Sequence, residues 1–462
     1  MQLFSPHIKA FEQLQAADGL LITADHWQRT QNYHRHRQNF YYQSLFQAGI
    51  VKGLGVAVIQ APEEVEARYR NNRWIQVQPG IAIDAEGNPI VVVEPCSFQV
   101  QSVCHGDQRK TVYIVLNYVD PSDLRQLPGQ DWVQETFRIL EKTSLDVLDV
   151  ELCRIHLRPG ETALIPAIDV FFPEANSLDL NHRQPAQKRP AGGVTVAPLV
   201  NPQAPNPKVT LGLTYLLKAL PALYPDLMGT DDMLLELDWG AIAAAHLQHL
   251  DLLYLSHSQL AQVPSDRYDT LKTYLDQGGS LLIAVDGAIT RQQELAQIKQ
   301  ELETTLTEGE NDPDVAAVAD ALRAELTEIQ TEMTQFVQTL QQSVLAFAQQ
   351  LNLPASGSGE LSPDHPLRTT PFLFSGWPRI EALPVQFFSW GGLILMVGNL
   401  TAVWGPDATG ARSRDTIRTA HEMGINLLHY AWRRRQLIQC QAIAPQTVPL
   451  PQQNALIDQV TP

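Results

Sequence analysis

The sequence predicts two folded domains of different class. Short alternating apolar runs, separated by turn residues, fill residues 50–180 and predict an α+β, β-rich N-terminal domain. Continuous apolar runs alternate with amphipathic helical runs after residue 250 and predict a doubly wound α/β domain with an inserted helical hairpin. With 462 residues, 44% of them apolar, the chain is large enough for more than one core.

Composition argues against several classes of protein. The formal net charge is −17, from 50 acidic and 33 basic residues, which argues against binding to duplex nucleic acid because phosphate contacts need a basic face. The longest apolar stretch, around Leu393–Val397, is far shorter than the roughly 20 residues that span a bilayer. No basic segment precedes an apolar run at the N-terminus. We therefore expect a cytoplasmic protein whose membrane association is at most indirect.

The cysteines favour the same reducing compartment. Four of them are scattered along the chain without a CxxC pair, which argues against a zinc cluster and against a disulfide framework. Cys96 and Cys104 could meet across a hairpin, although buried free thiols are the favoured interpretation.

A polar, aromatic helix is predicted over residues 26–47. Asp25 is a suitable N-cap, with Gln28 three positions later, and Gly49 is a typical residue after a helix end. The aromatic side chains of this helix cannot all share one narrow stripe, so part of its surface should face something other than its own core. A partner protein and a covering β-sheet are the two candidates, and neither is favoured. The candidate partner-contact residues are Trp27, Tyr33, Phe40 and Tyr41.

The rest of the N-terminal part reads as β-hairpins and ends near residue 182. Apolar runs at 74–83 and 89–94 flank the turn DAEGN, and alternating runs begin at 111 and 151. IPAIDVFF near residue 165 predicts one more strand. Residues 183–208 follow with six prolines and no sustained periodicity, which predicts an extended connector between the domains.

The α/β domain is predicted over residues 209–440. Its strands are LDLLYLSH, SLLIAVDG and GGLILMVGN, joined by a helix that begins at Ser265 and ends at Gly278. A final helix is predicted from Arg414 to about Arg435, and residues 441–462 form an extended tail, disordered or serving as a docking arm.

An insertion at residues 291–351 interrupts this domain. Apolar residues recur there at steps of four and three, the seam spacing of a coiled coil, and GENDPD at 308–313 is typical of a turn. We predict a two-helix coiled-coil arm. The alternative is an ordinary amphipathic helix pair lying on the α/β sheet.

The carboxyl ends of the predicted parallel strands are where chemistry is expected, because open α/β sheets bind ligands there. Ser256 and His257 follow one strand, and Asp286 follows the next. Adjacent residues on a strand point to opposite faces, however, and no GxSxG turn exposes the serine. We interpret the three residues as a vestigial pocket, and predict no catalytic residue, cofactor or metal ligand.

Three further motifs fall short of known sites. HEMGI at 421–425 has Ile425 where a zinc-binding helix needs its second histidine. The absence of cysteine between Cys153 and Cys440 argues against the triad of a glutamine amidotransferase. GLGVAV at 53–58 follows a helix rather than a strand, so it predicts a glycine turn and not a dinucleotide site.

Three motifs stand out within residues 1–180: the run DGLLITADHWQRTQNYHRHRQNFYYQSLFQAGIVKGLGV, then VQPGIAIDAEGNPIVV and ELCRIHL. With these motifs, the N-terminal part resembles a module of baseplate-associated or tail-fibre proteins from phage-tail-like contractile injection systems. The matching positions are Gly53, Gly55, Pro79, Gly80, Asp84 and Gly87.

The C-terminal part resembles the DUF4159 domain. The motifs are GGSLLIAVDG at 278–287 and IRTAHEMGINLLHYAW at 417–432. The resemblance implies a flavodoxin- or amidotransferase-like fold that can persist without an enzyme triad.

These observations predict a non-enzymatic structural component of a contractile injection system, attached at the baseplate periphery as a fibre-like or anchoring element. Its partners would be baseplate and other injection-system proteins, with the chain oligomeric within the particle. One alternative is an enzyme or ligand-binding protein that uses the sheet edge near His257 and Asp286. Another is a free-standing adaptor whose coiled coil captures soluble partners.

Overall fold

A computed structural model shows a mixed α/β protein with two compact units, residues 2–189 and 190–462. It describes residues 10–104, 110–124, 133–160, 163–200, 207–229, 231–238, 244–285, 290–308, 313–354, 357–380, 383–407 and 410–441. Asp286 and the predicted tail at 442–462 lie outside the described residues.

The N-terminal unit combines one long helix with three small antiparallel sheets. The strand orders are β1-β4-β5, β2-β3-β6 and β10-β9-β7-β8. Their inward-facing residues share one core, which includes Leu54, Ile75, Ile114 and Leu152. The elements are α1 (Ala24–Leu45), β1 (Gly49–Gly53), β2 (Val56–Ile59), β3 (Trp74–Val77), β4 (Gly80–Ile83), β5 (Pro89–Val92), β6 (Cys96–Gln99), β7 (Lys110–Val119), β8 (Thr136–Lys142), β9 (Val150–Leu157) and β10 (Leu178–Asp179).

The apolar run 74–83 is two strands in different sheets, not one arm of a hairpin. The chain turns at Gln78 and Pro79, so that β3 joins β2 and β6 while β4 pairs with β1 and β5. Leu54 N–H donates to the Pro79 carbonyl at 3.1 Å, and Gln78 N–H donates to Gly55 at 2.7 Å. Gly53 has a φ of +70°, and a Cβ there would lie 2.2 Å from the Pro79 oxygen. The predicted glycine turn therefore interlocks two sheets.

Helix α1 begins two residues earlier than predicted. Thr23 is the N-cap, and its hydroxyl accepts from His26 N–H at 3.3 Å. Asp25 lies instead in the first turn and pairs with Arg29 at 3.1 Å. Both positions favour a helix start, since Thr caps it and Asp complements the macrodipole.

Polar contacts hold α1 on the turn between β4 and β5. The side-chain amides of Asn39 and Asn88 meet at 2.6 Å, and Gln43 Nε2 donates to the carbonyl of Glu86. A Cβ at Gly87 would lie only 2.4 Å from the Asn39 carbonyl oxygen. The close approach of helix and turn therefore requires glycine at this position.

We expect Gly87→Ala to destabilise the N-terminal unit far more than Gly160→Ala. Both glycines have a positive φ, +81° and +80°, but only Gly87 has backbone within reach of an added Cβ. Gly160→Ala should lower the free energy of unfolding by about 1 kcal/mol, and Gly87→Ala by at least about 3 kcal/mol. Urea unfolding of the two full-length variants measures both. Equal losses would contradict the close contact between turn and helix.

The C-terminal unit is built on a mixed sheet with the order β12-β14-β15-β19-β18, in which only β18 is antiparallel to its neighbour. The elements are β11 (Gly192–Gly193), β12 (Val196–Pro198), α2 (Pro207–Leu223), β13 (Leu227–Met228), α3 (Ala244–Leu247), β14 (Leu252–Ser256), α4 (Tyr268–Asp276), β15 (Ser280–Ala284), α5 (Thr290–Glu308), α6 (Pro313–Gln350), α7 (Pro366–Thr369), β16 (Arg379–Ile380), β17 (Leu383–Pro384), β18 (Gln386–Trp390), β19 (Leu393–Val397), α8 (Thr401–Trp404) and α9 (Arg414–Gln441).

The connectivity of this sheet reverses next to β12. Isolated parallel bridges join Val196 to Leu234 and Leu199 to Leu237, so residues 234–237 flank β12 on the side opposite β14. After β12 the chain first forms residues 234–237 on one side of this strand and then forms β14 on its other side. The carboxyl ends of β12 and β14 therefore form a topological switch point, the usual ligand crevice of open α/β sheets.

Both faces of the sheet are covered by apolar clusters. Alternate residues of β14 point to opposite faces: Leu252 and Tyr254 join a cluster with α2 and α9, while Leu253 and Leu255 join one with α4 and α6. This explains why the strands read as continuous apolar runs.

The structure corrects the connector predicted at 183–208. Residues 192–193 and 196–198 form β11 and β12, and Val196 and Ala197 are fully buried. Pro198 has no N–H to donate, but its carbonyl accepts from Leu237 N–H at 3.3 Å, and Leu199 N–H donates to Tyr254 at 2.8 Å, so pairing continues on both sides of β12. Proline content alone therefore did not indicate an exposed linker here.

The insertion forms two helices, α5 and α6, and its second half lies on the sheet. Leu340, Val344 and Phe347 of α6 belong to the apolar cluster on one sheet face. Met333 and Phe336, two of the apolar residues whose spacing predicts the coiled-coil seam, also pack against this cluster. In this half the helix follows the alternative interpretation of an amphipathic helix on the sheet.

A buried carboxyl group gives the C-terminal unit a distinctive pH dependence. Asp251 accepts from Thr195 N–H at 2.8 Å and lies 3.7 Å from the Arg435 guanidinium, but burial raises its pKa to about 6. The unfolded value is about 3.9. Because the folded pKa is the higher one, the stabilisation from this group is complete below about pH 4 and is lost as the pH rises through 6.

Asp251→Asn should remove this pH dependence, since it mimics the protonated side chain. Relative to the wild type, the free energy of unfolding of the variant should increase by up to about 3 kcal/mol from pH 4 to pH 7.5. Urea unfolding at each pH, followed by tryptophan fluorescence, measures it, with exposed Asp276→Asn as control. A difference that stays constant over this range would contradict the raised pKa.

Candidate functional site

The structure separates the residues of the predicted pocket at the carboxyl end of β14. Ser256 ends the strand and its hydroxyl lies 3.0 Å from the Ser258 hydroxyl, not against a histidine. His257 Nε2 lies 2.7 Å from Ser343 Oγ on α6. Asp286, the third predicted residue, lies outside the described residues. Ser256 and His257 therefore do not form a nucleophile–base pair with each other.

The contact between His257 and Ser343 joins the inserted helix to the switch point. The Ser343 hydroxyl donates to the Leu340 carbonyl at 2.7 Å, so its single proton is in use and His257 Nε2 is the donor to Ser343. Burial lowers the pKa of His257, which favours the neutral ring. A serine whose proton is bonded along its own helix is poorly placed for attack, so this hydrogen bond acts first as a tether between α6 and β14.

Two of the arginines near the end of α9 have partners inside the unit. Arg434 donates to the carbonyls of Gly279 and Leu275, the latter at the C-terminal end of α4, and Arg435 lies beside Asp251. A cation at the C-terminal end of a helix complements the helix dipole, and Arg434 of α9 supplies such a cation to α4. His421 Nδ1 lies 2.9 Å from the carbonyl oxygen of Ile417, four residues earlier on the same helix.

Among the residues that the structure describes, no group of three His, Cys, Asp or Glu side chains is placed to hold a metal ion. Their helices also lack any that combines the length and apolar character needed to cross a bilayer.

The N-terminal unit contains a cleft of about 1130 Å³ along α1, here called the α1 groove. Its walls are residues 10–15, one side of α1, the turn at 84–88 and residues 117–123. The lining mixes aromatic side chains with polar and charged ones, and Arg35 pairs with Asp120 at 3.1 Å. Burial raises the pKa of Asp84, which nevertheless accepts the N–H groups of residues 86 and 88 at 2.9 and 2.8 Å.

The four predicted contact residues fall into two pairs. Tyr33 and Phe40 are half-buried in the groove, and both rings meet Phe11 edge-to-face at centroid distances of 6.4 and 5.5 Å. Trp27 and Tyr41 remain 61% and 54% exposed. The N-terminal segment thus contacts the first pair through Phe11.

A second apolar surface was missed from the sequence. Within IPAIDVFF, only Ile165 forms an isolated bridge. The rest of this run is a loop that exposes large apolar side chains. Ile168, Phe171 and Phe172 are 87%, 76% and 80% exposed. The loop is nevertheless ordered: Phe171 N–H donates to Asp169 Oδ1 at 2.9 Å, and Asn181 Nδ2 donates to the Val170 carbonyl at 2.9 Å. Apolar periodicity could not distinguish this loop from a strand, although the flanking prolines were a warning.

Comparison with known proteins supports the C-terminal resemblance. Residues 240–432 match the family described as Domain of unknown function (DUF4159). No curated protein matches the chain. The matched range contains β14, β15, β18, β19 and the insertion, but not β12 or α2, which complete the sheet and one of its apolar faces. The resemblance of the N-terminal unit to contractile injection systems stays a prediction, whereas residues 240–432 carry a DUF4159 domain.

The tether predicts coupled losses of stability. His257→Ala and Ser343→Ala should each lower the free energy of unfolding by about 1 kcal/mol, and the double variant should lose about 1 kcal/mol less than the sum, because one hydrogen bond is removed in all three. A double-mutant cycle in urea measures the coupling. Thr339→Ala is the control, since Thr339 is exposed on the same helix and bonds to the Gln335 carbonyl. Strict additivity would show that the hydrogen bond contributes nothing.

Proposed function

We propose that the chain is a non-enzymatic structural component of a contractile injection system, attached at the baseplate periphery by its N-terminal unit. The C-terminal unit, with its insertion, then serves as a fibre-like or anchoring element on a doubly wound, flavodoxin- or amidotransferase-like scaffold. The proposal rests on the sequence resemblance over residues 1–180 together with the surfaces of this unit.

One observation carries the proposal: α1 is a helix of 22 residues without a single fully buried side chain. Helical stability in proteins comes mostly from packing an apolar face, and a helix without a fully buried side chain has less of that support. Trp27, Tyr41 and Leu45 are instead exposed along it. A large partner surface that covers them would supply the missing packing.

The loop at 168–172 supports the same role. Contiguous exposed apolar side chains on an ordered loop are typical of protein–protein contact sites. The loop lies in the same compact unit as α1. Two contact surfaces on one unit suit a component that is attached within a particle.

The alternative, a ligand-binding or enzymatic role near His257 and Asp286, is favoured by one observation. His257 lies at the switch point, where open α/β sheets bind ligands. A neutral histidine whose Nε2 donates to Ser343 could act as a base through Nδ1. His257→Ala separates the two proposals, because loss of an activity with normal particle assembly would favour the alternative.

Trp27→Ala/Tyr41→Ala should abolish particle association without unfolding the chain. Tagged full-length protein, purified from its native cells, should recover sheath, tube and baseplate proteins, and the double variant should recover at least about tenfold less, since such aromatic residues dominate interface energies. Mass spectrometry and negative-stain imaging measure recovery.

Leu373→Ala provides the control, because Leu373 is an apolar residue of the C-terminal unit that is even more exposed than Trp27 and Tyr41. It should leave recovery unchanged. If the wild-type chain recovers no injection-system protein, or if the aromatic variant recovers as much as wild type, the proposed attachment is wrong.

A further inference from the structure

An extended segment of the chain itself lies along the α1 groove and contacts its aromatic side chains. Residues 10–15 have no regular secondary structure and form one wall of the groove. Phe11 is their anchor: its ring lies 5.5 Å from Phe40 at an interplanar angle of 86°, and 6.4 Å from Tyr33 at 90°. Edge-to-face geometry of this kind is the preferred arrangement of aromatic pairs.

The contacts of residues 10–15 with the groove are weak enough for a competing peptide to displace this segment. Phe11 remains 45% exposed despite its two ring contacts. Each aromatic pair contributes only about 0.5–1.5 kcal/mol beyond its buried area. The segment reaches the groove through a short turn, in which Leu20 N–H donates to Ala17 at 3.1 Å and Gly19 has a φ of +86°. Such a short connection gives the segment a high effective concentration, which compensates for weak contacts.

The groove also offers unused hydrogen-bonding capacity. His26 Nδ1 and Asn117 Oδ1 both belong to groove-lining residues, are buried, and have no partner within the described part of the chain. Buried polar atoms are normally bonded, and orphaned ones invite an explanation. The N–H and C=O groups of an extended peptide are the complementary chemistry, since the groove already accommodates one extended segment.

We infer that the α1 groove is a docking site for an extended peptide of a partner protein that inserts an aromatic side chain between Tyr33 and Phe40. Residues 10–15 hold this site in cis and compete with that peptide. The inference rests on the proposed function only for the identity of the partner. The site itself stands on the ring contacts, the cleft and the orphaned polar atoms.

The experiment uses a fluorescein-labelled synthetic peptide, IKAFEQLQAA, which copies residues 8–17. Fluorescence anisotropy measures its binding to purified full-length variants. Phe11→Ala should bind the peptide at least about tenfold more tightly than wild type, because the competing segment has lost its anchor. The variants Phe11→Ala/Phe40→Ala and Phe11→Ala/Tyr33→Ala should each lose at least about tenfold relative to Phe11→Ala.

Two controls keep the result specific. Phe11→Ala/Phe171→Ala removes an exposed phenylalanine of the same unit outside the groove and should bind like Phe11→Ala. A peptide with alanine at its phenylalanine should bind none of the variants. Thermal unfolding checks that each variant is folded.

The inference is overturned if Phe11→Ala binds the peptide no better than wild type, or if the Phe40 and Tyr33 variants bind as well as Phe11→Ala. Peptide binding by Phe11→Ala without recovery of injection-system proteins from cells would support the groove and reject the proposed attachment. Recovery of the particle without peptide binding would do the reverse.

Discussion

The polar attachment of α1 to the β4–β5 turn is the constraint on which the N-terminal surface depends. A helix usually docks by burying an apolar stripe, but α1 docks through the amide pair Asn39 and Asn88 and through backbone approach at Gly87. Hydrogen bonds to a turn fix the helix without using its aromatic residues. Those residues are then left to line the groove or to face outward, and the same turn sets the groove wall. The N-terminal surface therefore needs a glycine at position 87 as much as it needs the aromatic residues.

The C-terminal unit depends on a different constraint, the use of its inserted helix as part of the sheet covering. The second half of α6 fills one apolar face, and His257 ties it to the strand end where a ligand crevice is expected. The inserted hairpin is thus not a free appendage over that half. Because Ser343 gives its proton to its own helix, the polar group nearest His257 stabilises the position of α6. His257, which the sequence suggested as part of a vestigial pocket, therefore has a structural partner in Ser343.

Sequence reasoning predicted elements whose signals are local and failed where pairing is non-local. The strands β14, β15 and β19 were found because continuous apolar runs report burial on both faces, and Gly53 and Gly87 because positive φ selects glycine. The connector was misjudged because proline content does not reveal that Val196 and Ala197 pair with β14. The run 74–83 was misjudged because a sheet change at Pro79 leaves the apolar pattern intact. The partner of His257 was invisible, since 86 residues separate it from Ser343.

The exposure of apolar side chains in the N-terminal unit follows from how its core is built. Its strands fill one shared core with their inward-facing residues, while α1 and the 168–172 loop contribute nothing to it. Both elements are nevertheless held in place by hydrogen bonds, at Asn88 for the helix and at Asn181 for the loop. Ordering an apolar side chain in water costs free energy that only a later contact can offset. Two such elements on one compact unit would bind a partner with a higher effective affinity than either alone, because the second contact becomes intramolecular once the first is made.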